Sequence, residues 1–96
     1  MGTVRVGEFE WDDAKARANG RKHGVTFEEA MTVFLDELAV PFEEGKHSDR
    51  LVLVGESRLG RTVLVVFTER VASGIIRFIS ARRATKRERR AYAEGD

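Results

Sequence analysis

The chain contains no cysteine, one proline, two histidines and no long apolar run. Without cysteine there is no disulfide framework, no thiolate nucleophile and no thiolate metal site. Two isolated histidines, His23 and His47, leave nothing with metal-ligand spacing. No glycine-rich loop is shaped to cradle phosphates, because Gly55 and Gly60 read as hairpin residues. Neither a metal nor a nucleotide cofactor is therefore expected. No apolar stretch approaches the roughly 18 residues needed to span a bilayer. The start, Met1-Gly2-Thr3-Val4-Arg5, has no apolar h-region and so does not read as a secretory signal. A cytoplasmic protein without membrane association is the expectation.

What is present fits one folded domain over residues 1–96, because 42% hydrophobic and 34% charged residues can build one modest core under a solvated surface. The net charge of +1 hides an asymmetry. Residues 1–69 carry 9 Lys/Arg against 13 Asp/Glu, and residues 70–96 carry 8 against 3. Between Arg77 and Tyr92 stand seven Lys/Arg and a single acid, Glu88. A β-like run, Gly74 to Ser80, feeds directly into this basic segment. Positive charge anchored to a strand suits a polyanion such as RNA. The plain alternative is a solvated helix face.

Local signals predict an α+β domain: two N-terminal helices, an antiparallel sheet of three to four strands, and a C-terminal basic helix. Glu8–Trp11 is a short alternating entry segment. Asp12 fits the N-cap of a helix that runs to about Lys22 or His23, with Gly24 stopping it. Gly20 inside that helix costs about 1 kcal/mol relative to Ala, and a close contact would explain it. Thr26-Phe27-Glu28-Glu29 reads as a capping box for a second helix to about Leu35, with Phe27, Ala30, Met31, Phe34 and Leu35 as its core stripe. Leu38–Phe42 is a candidate strand, placed at an edge by Pro41. Leu51–Ser57 and Arg61–Glu69 flank a short loop at Arg58-Leu59-Gly60. Ile75–Ser80 is the last strand, with Ile75, Arg77 and Ile79 on one face and Ile76, Phe78 and Ser80 on the other. A helix from Thr85 to Ala93 follows.

These residues carry a family likeness. Phe9-Glu10-Trp11-Asp12, Lys15, Asn19, Lys22-His23-Gly24-Val25, Phe27 and Ala30 resemble the opening of the BrnT toxins of type II toxin–antitoxin systems. Ile79-Ser80-Ala81-Arg82-Arg83-Ala84-Thr85, with Glu88, Arg89 and Tyr92, resembles the close of the same family, and Asp49-Arg50, Gly55 and Gly60-Arg61 fit between. The likeness implies a RelE-like ribonuclease fold and a toxin that cuts RNA without a metal, inhibiting translation and growth. It further implies neutralisation by a BrnA-like antitoxin in a hetero-oligomer, which reaches operator DNA only through the antitoxin.

Metal-free RNA cleavage needs an acceptor for the 2′-hydroxyl proton, cations for the charge that develops on phosphorus, and a donor to the leaving 5′-oxygen. RelE-like nucleases use scattered side chains, so no fixed triad is expected. Arg77 stands out because it interrupts an apolar strand, where an arginine must reach solvent or an anion. Its plain reading is an outward-facing sheet residue. Arg82 and Arg83 lie where strand becomes helix; the alternative for them is an ion pair with Glu88 or Glu94. Lys22, Arg50, Arg83 and Lys86 are candidates for binding the substrate backbone. For chemistry the candidates are His23, Arg77, Arg82 and Tyr92. His23 ends the first helix, where the dipole favours its charged form, although it could simply cap. Tyr92 could instead pack its helix onto the sheet. Glu88 fits a second capping box with Thr85. His47 lies in a loop and matches no motif. Trp11 and Phe9 read as packing residues rather than base-stacking ones. The rival function is a basic module that binds RNA or DNA, or docks an antitoxin, without cutting.

Overall fold

The structure, a computed structural model, describes residues 2–42 and 49–95, so His47 lies outside the described residues. The chain opens with β1 (Thr3–Val6) and β2 (Phe9–Asp12), followed by α1 (Asp13–His23) and α2 (Phe27–Val33). The short β3 (Val40–Pro41) leads to β4 (Leu51–Glu56), β5 (Thr62–Arg70), β6 (Ile75–Arg83) and α3 (Lys86–Glu94). The sheet order is β1-β2-β6-β5-β4-β3.

This α+β sheet is larger than the expected three to four antiparallel strands. It has six strands among the described residues, and it is mixed, because β2 runs parallel to β6. The entry segment folds back on Gly7, which sits at φ 59°, and its Phe9 and Glu10 pair with Ile76 and Arg77. A pairing that joins residues so far apart in the chain leaves no local periodicity to read. Pro41 does occupy an edge strand, where its missing N–H costs no ladder bond.

The helix starts follow their caps. Asp12 accepts from the Lys15 backbone N–H at 3.0 Å, and Gly24 closes α1 at φ 70°. Thr26 accepts from the Glu29 N–H at 2.9 Å. The Glu29 side chain does not return to the cap as a capping box would require. It turns to Arg61, with Nε at 2.9 Å and NH2 at 2.6 Å, and accepts from the Ser57 hydroxyl at 2.7 Å. Beyond Val33 the chain tightens into i to i+3 bonds from Phe34, Leu35 and Asp36. That turn swings Leu35 out of the expected core stripe, to 81% exposure. Gly20 makes no close contact, since a Cβ there would meet nothing within 4 Å.

Two apolar layers lie on opposite faces of the sheet. Val63, Val65, Phe67, Phe78 and Ala81 pack with Trp11 against Val25, Phe27, Ala30 and Val33 on the α1–α2 side. Phe78 is the hub, with ring centroids of Phe9, Trp11, Phe27 and Phe34 at 5.4 to 5.8 Å. On the other side α3 rests on a smaller layer of Val52, Val54, Leu64 and Ala84, edged by Phe42, Val66 and Tyr92.

Asn19 of α1 finishes the sheet where β2 stops. Its Nδ2 donates to the Ala81 and Val25 carbonyls at 2.8 and 2.9 Å, and its Oδ1 accepts from the Ala81 N–H at 3.1 Å. A buried backbone edge must find such partners, and one side-chain amide supplies both a donor and an acceptor.

Candidate functional site

The face of β6 that carries the arginines depends on one extra residue. Phe67 pairs with Phe78 and Val66 with Ser80, so Ile79 bulges between two positions of β5. Strict alternation would put Arg77 and Arg82, five residues apart, on opposite faces. The bulge reverses the parity. Arg77 opposite Thr68, Ser80 opposite Val66 and Arg82 opposite Leu64 now share the α3 side. The expected grouping of Ser80 with Ile76 and Phe78 is thereby corrected, since Ser80 joins Arg77 instead. Thr68 and Leu64 lie four positions apart on β5, so the two arginines stand roughly 13 Å apart along the strand.

Each of these arginines meets a nearly buried carboxylate. Arg77 NH1 donates to Glu10 Oε2 at 2.8 Å, and Arg70 NH2 comes within 3.8 Å of the same oxygen. Arg82 forms a fork on Glu88, with NH1 to Oε1 at 2.8 Å and NH2 to Oε2 at 2.9 Å. The carboxylate side chains are 10% exposed and the arginine side chains 34% and 31%, so the arginines are the more open partners. Glu88 also completes the capping box with Thr85 at the start of α3. The Arg82 hydrogen bonds, joined by the Thr85 N–H, hold its carboxyl below the usual value against the effect of burial.

The other sequence candidates are dispersed. Arg83, one residue beyond Arg82, points to the α1–α2 side opposite Val63, where its charge acts on Glu29. His23 and Lys22 end α1 beside Gly24, whose carbonyl accepts from Arg61 NH2 at 2.7 Å. Their end of α1 thus adjoins the Glu29–Arg61 network rather than the Arg77–Arg82 face. Arg50 is exposed just before β4, and the β4–β5 register carried one residue further places it opposite Thr68, on the Arg77 face. Lys86 is exposed at the first turn of α3. Tyr92 lies on the α3 side, but its hydroxyl points away to the sheet edge and donates to Asp36 Oδ2 at 2.6 Å. That bond and burial push the phenol up to about 12. Burial works to raise the Asp36 carboxyl, yet donors from Glu56, Tyr92 and Leu38 outweigh it and leave it lowered. The structure brings Arg77 and Arg82 to one face, and it does not bring His23 or the Tyr92 hydroxyl to them.

Glu10 is the residue of this face that sequence reasoning passed over. A partial signal was available: Glu10 stands between the aromatic residues Phe9 and Trp11, and Arg77 between Ile76 and Phe78. Opposite charges flanked by apolar residues are a reason to pair them. Among the described residues, no three His, Cys, Asp or Glu side chains converge to hold a metal, and no helix is long and apolar enough to cross a membrane.

Known proteins agree with this architecture. Residues 11–88 match the family described as the ribonuclease toxin, BrnT, of type II toxin–antitoxin systems. The chain is similar to the crystal structure of the Brucella abortus ribonuclease toxin, BrnT, with 29% identity and a TM-score of 0.62 over 79% of this chain and 94% of that one. No curated protein matches. With the family match covering well over half of its length, the chain belongs to the BrnT family of ribonuclease toxins of type II toxin–antitoxin systems.

Proposed function

We propose that the chain is an endoribonuclease that cuts RNA without a metal on the α3 side of its sheet, and so inhibits translation and growth. The observation that carries this reading is the bulge at Ile79, which gathers Arg77, Ser80 and Arg82 on one solvent-facing surface. Arg77 and Arg82, about 13 Å apart along the strand, can each engage a phosphate of the RNA backbone. Arg50 and Lys86 flank the same surface and would track the backbone. This scatter of side chains over a sheet face and a flanking helix has the character of a RelE-type nuclease. Tyr92 serves to hold α3 down, and Lys22, His23 and Arg83 are given no part in the chemistry. A BrnA-like antitoxin would neutralise the toxin by covering this face, and operator DNA would be reached only through that partner.

The test is cleavage of a defined single-stranded RNA, free and on ribosomes, by antitoxin-free protein in EDTA. Wild type should cut, and Arg77→Ala and Arg82→Ala should still fold but lose at least tenfold in rate, with a lowered melting temperature because each leaves a nearly buried carboxylate short of its arginine. Full cleavage by both variants would overturn the site. Cleavage that stops in EDTA would overturn metal independence. A second reading draws on α3, where Lys86, Arg87 and Arg90 are all exposed: a surface that binds nucleic acid or an acidic antitoxin segment without cutting. Binding without cleavage in the same assay would favour it.

A further inference from the structure

We infer that Glu10 accepts the 2′-hydroxyl proton during RNA cleavage, an assignment that rests on the Arg77–Arg82 face being the site. Among the described residues three glutamates are buried, Glu10, Glu29 and Glu88. Glu29 has both oxygens engaged, Oε1 by Arg61 and Oε2 by Arg61 and Ser57. Glu88 likewise engages Oε1 with Arg82 and Thr85, and Oε2 with Arg82. These two are fully used as structural ties. Glu10 differs, because both cations that approach it, Arg77 and Arg70, fall on Oε2. Among the described residues nothing donates to Oε1. No fully buried side-chain oxygen there lacks a partner, so Oε1 must open to solvent. A carboxylate nine-tenths buried, held by arginine through one oxygen and open at the other, has the form of a positioned base.

The surroundings suit that role. Arg77 faces Glu10 from β6, Arg70 from the end of β5, and Arg5 lies opposite it in the β1 register with its Nε turned to the Gly7 carbonyl. On β2 itself the nearest acid on the same face, Asp12, is committed to capping α1. Arg77 spends NH1 on Glu10 and makes no other hydrogen bond among the described residues, which leaves Nε and NH2 for a phosphate. One arginine would therefore bridge base and phosphate and set the 2′-oxygen between them. In the step, the 2′ O–H bond breaks and its proton passes to Oε1. The 2′-oxygen forms a bond to phosphorus, and the bond from phosphorus to the 5′-oxygen breaks. The 5′-oxygen leaves with the electron pair and takes a proton from water. The products are a 2′,3′-cyclic phosphate end and a 5′-hydroxyl end.

The experiment compares wild type, Glu10→Gln, Arg77→Ala and Arg82→Ala on a single-stranded RNA and on the all-2′-deoxy version of the same oligonucleotide, which lacks the nucleophile. Glutamine keeps the shape and an acceptor for Arg77, so a merely structural role predicts little loss. If Glu10 is the base, Glu10→Gln lowers kcat by about 10²–10⁴-fold while the Kd for the deoxy strand stays within about threefold. The acid limb of the wild-type pH–rate profile should vanish in the same variant. An unchanged acid limb, or a loss confined to Kd, would overturn the assignment. If the arginine variants fail and Glu10→Gln cuts normally, the face stands and Glu10 falls; if all three cut normally, the face itself is wrong. Should Glu10→Gln unfold, Glu10→Asp decides: a slower enzyme that keeps its acid limb supports the base, and one without it refutes it.

Discussion

Replacing Asn19 by alanine should remove the device that ends the sheet beside the site. Three hydrogen bonds are lost, two to Ala81 and one to Val25, and the side chain that makes them belongs to a residue only 7% exposed. At a net value of about 1 kcal/mol each, their loss costs about 3 kcal/mol. The Ala81 N–H and carbonyl are then left in a position with 0% exposure, which adds to the cost unless water enters the space. Each kcal/mol lowers the melting temperature of a domain of this size by about 4–8 °C, so a drop of about 12–24 °C is expected. Thermal and urea unfolding followed by circular dichroism would measure it. Asn19→Asp is the informative control, because it keeps an acceptor for the Ala81 N–H but turns a carboxylate toward two carbonyls; it should be at least as destabilised at neutral pH and partly recover on acidification. A loss below about 1 kcal/mol in Asn19→Ala would refute the reasoning, since the edge would then be satisfied by solvent. Ala81 sits between Ser80 and Arg82, so the same variant should also lower cleavage by loosening the face.

Gly55→Ala should destabilise by about 1–3 kcal/mol in urea unfolding, because its Cβ would come within 2.9 Å of Ala39 Cβ and 3.0 Å of Val33 Cγ1; a neutral result would mean that the α2–β3 turn yields easily. Glu29 and Glu88 are both held below the ordinary carboxyl value of 4.5, the first mainly by Arg61 and the second mainly by Arg82. Their folded pKa values are depressed, so the unfolded chain takes up protons first as pH falls, and the stability they provide is present above 4.5 and lost below it. The urea midpoint should fall on acidification through that range, and less steeply in Glu29→Gln. The Tyr92 phenol moves from 10.0 up to about 12, so its contribution is intact below 10 and lost as pH rises toward 12. Tyr92→Phe should lack that alkaline slope, lose about 1 kcal/mol at pH 7 through the Asp36 bond, and leave RNA cleavage unchanged.

Local chemistry made much of the fold legible. Asp12, Thr26 and Thr85 cap the three helices as their positions imply, and Gly24 and Gly60 take left-handed conformations where the chain must turn. What sequence alone missed depends on distant partners. The Thr26–Glu29 pattern meets the motif for a capping box, but Arg61 and Ser57 offer the carboxylate a stronger set of donors than one backbone N–H. Likewise β2 joins the sheet through a parallel pairing that no nearby residue announces. The candidate site was half legible for the same reason. An arginine within an apolar strand marks itself, and Arg77 and Arg82 could be named from sequence. Their common face could not, because a period of two places them apart and the bulge at Ile79 is decided by pairing with β5. Glu10 needed that tertiary pairing to acquire meaning.

The ion pairs also change what the basic C-terminal charge can do. Arg77 uses one N–H on Glu10, so an anion can engage it with little rearrangement. Arg82 presents its fork to Glu88, and Glu88 in turn accepts from the Thr85 N–H that opens α3. An anion that drew Arg82 away would leave Glu88 nearly buried without its cation, a costly state. It would thereby weaken the cap of α3 and the seat of that helix on Val54 and Leu64. The two arginines are therefore not equivalent. One is ready as it stands, and the other is tied to the helix that covers the rest of the face, so engagement of Arg82 and the position of α3 are linked through a single carboxylate.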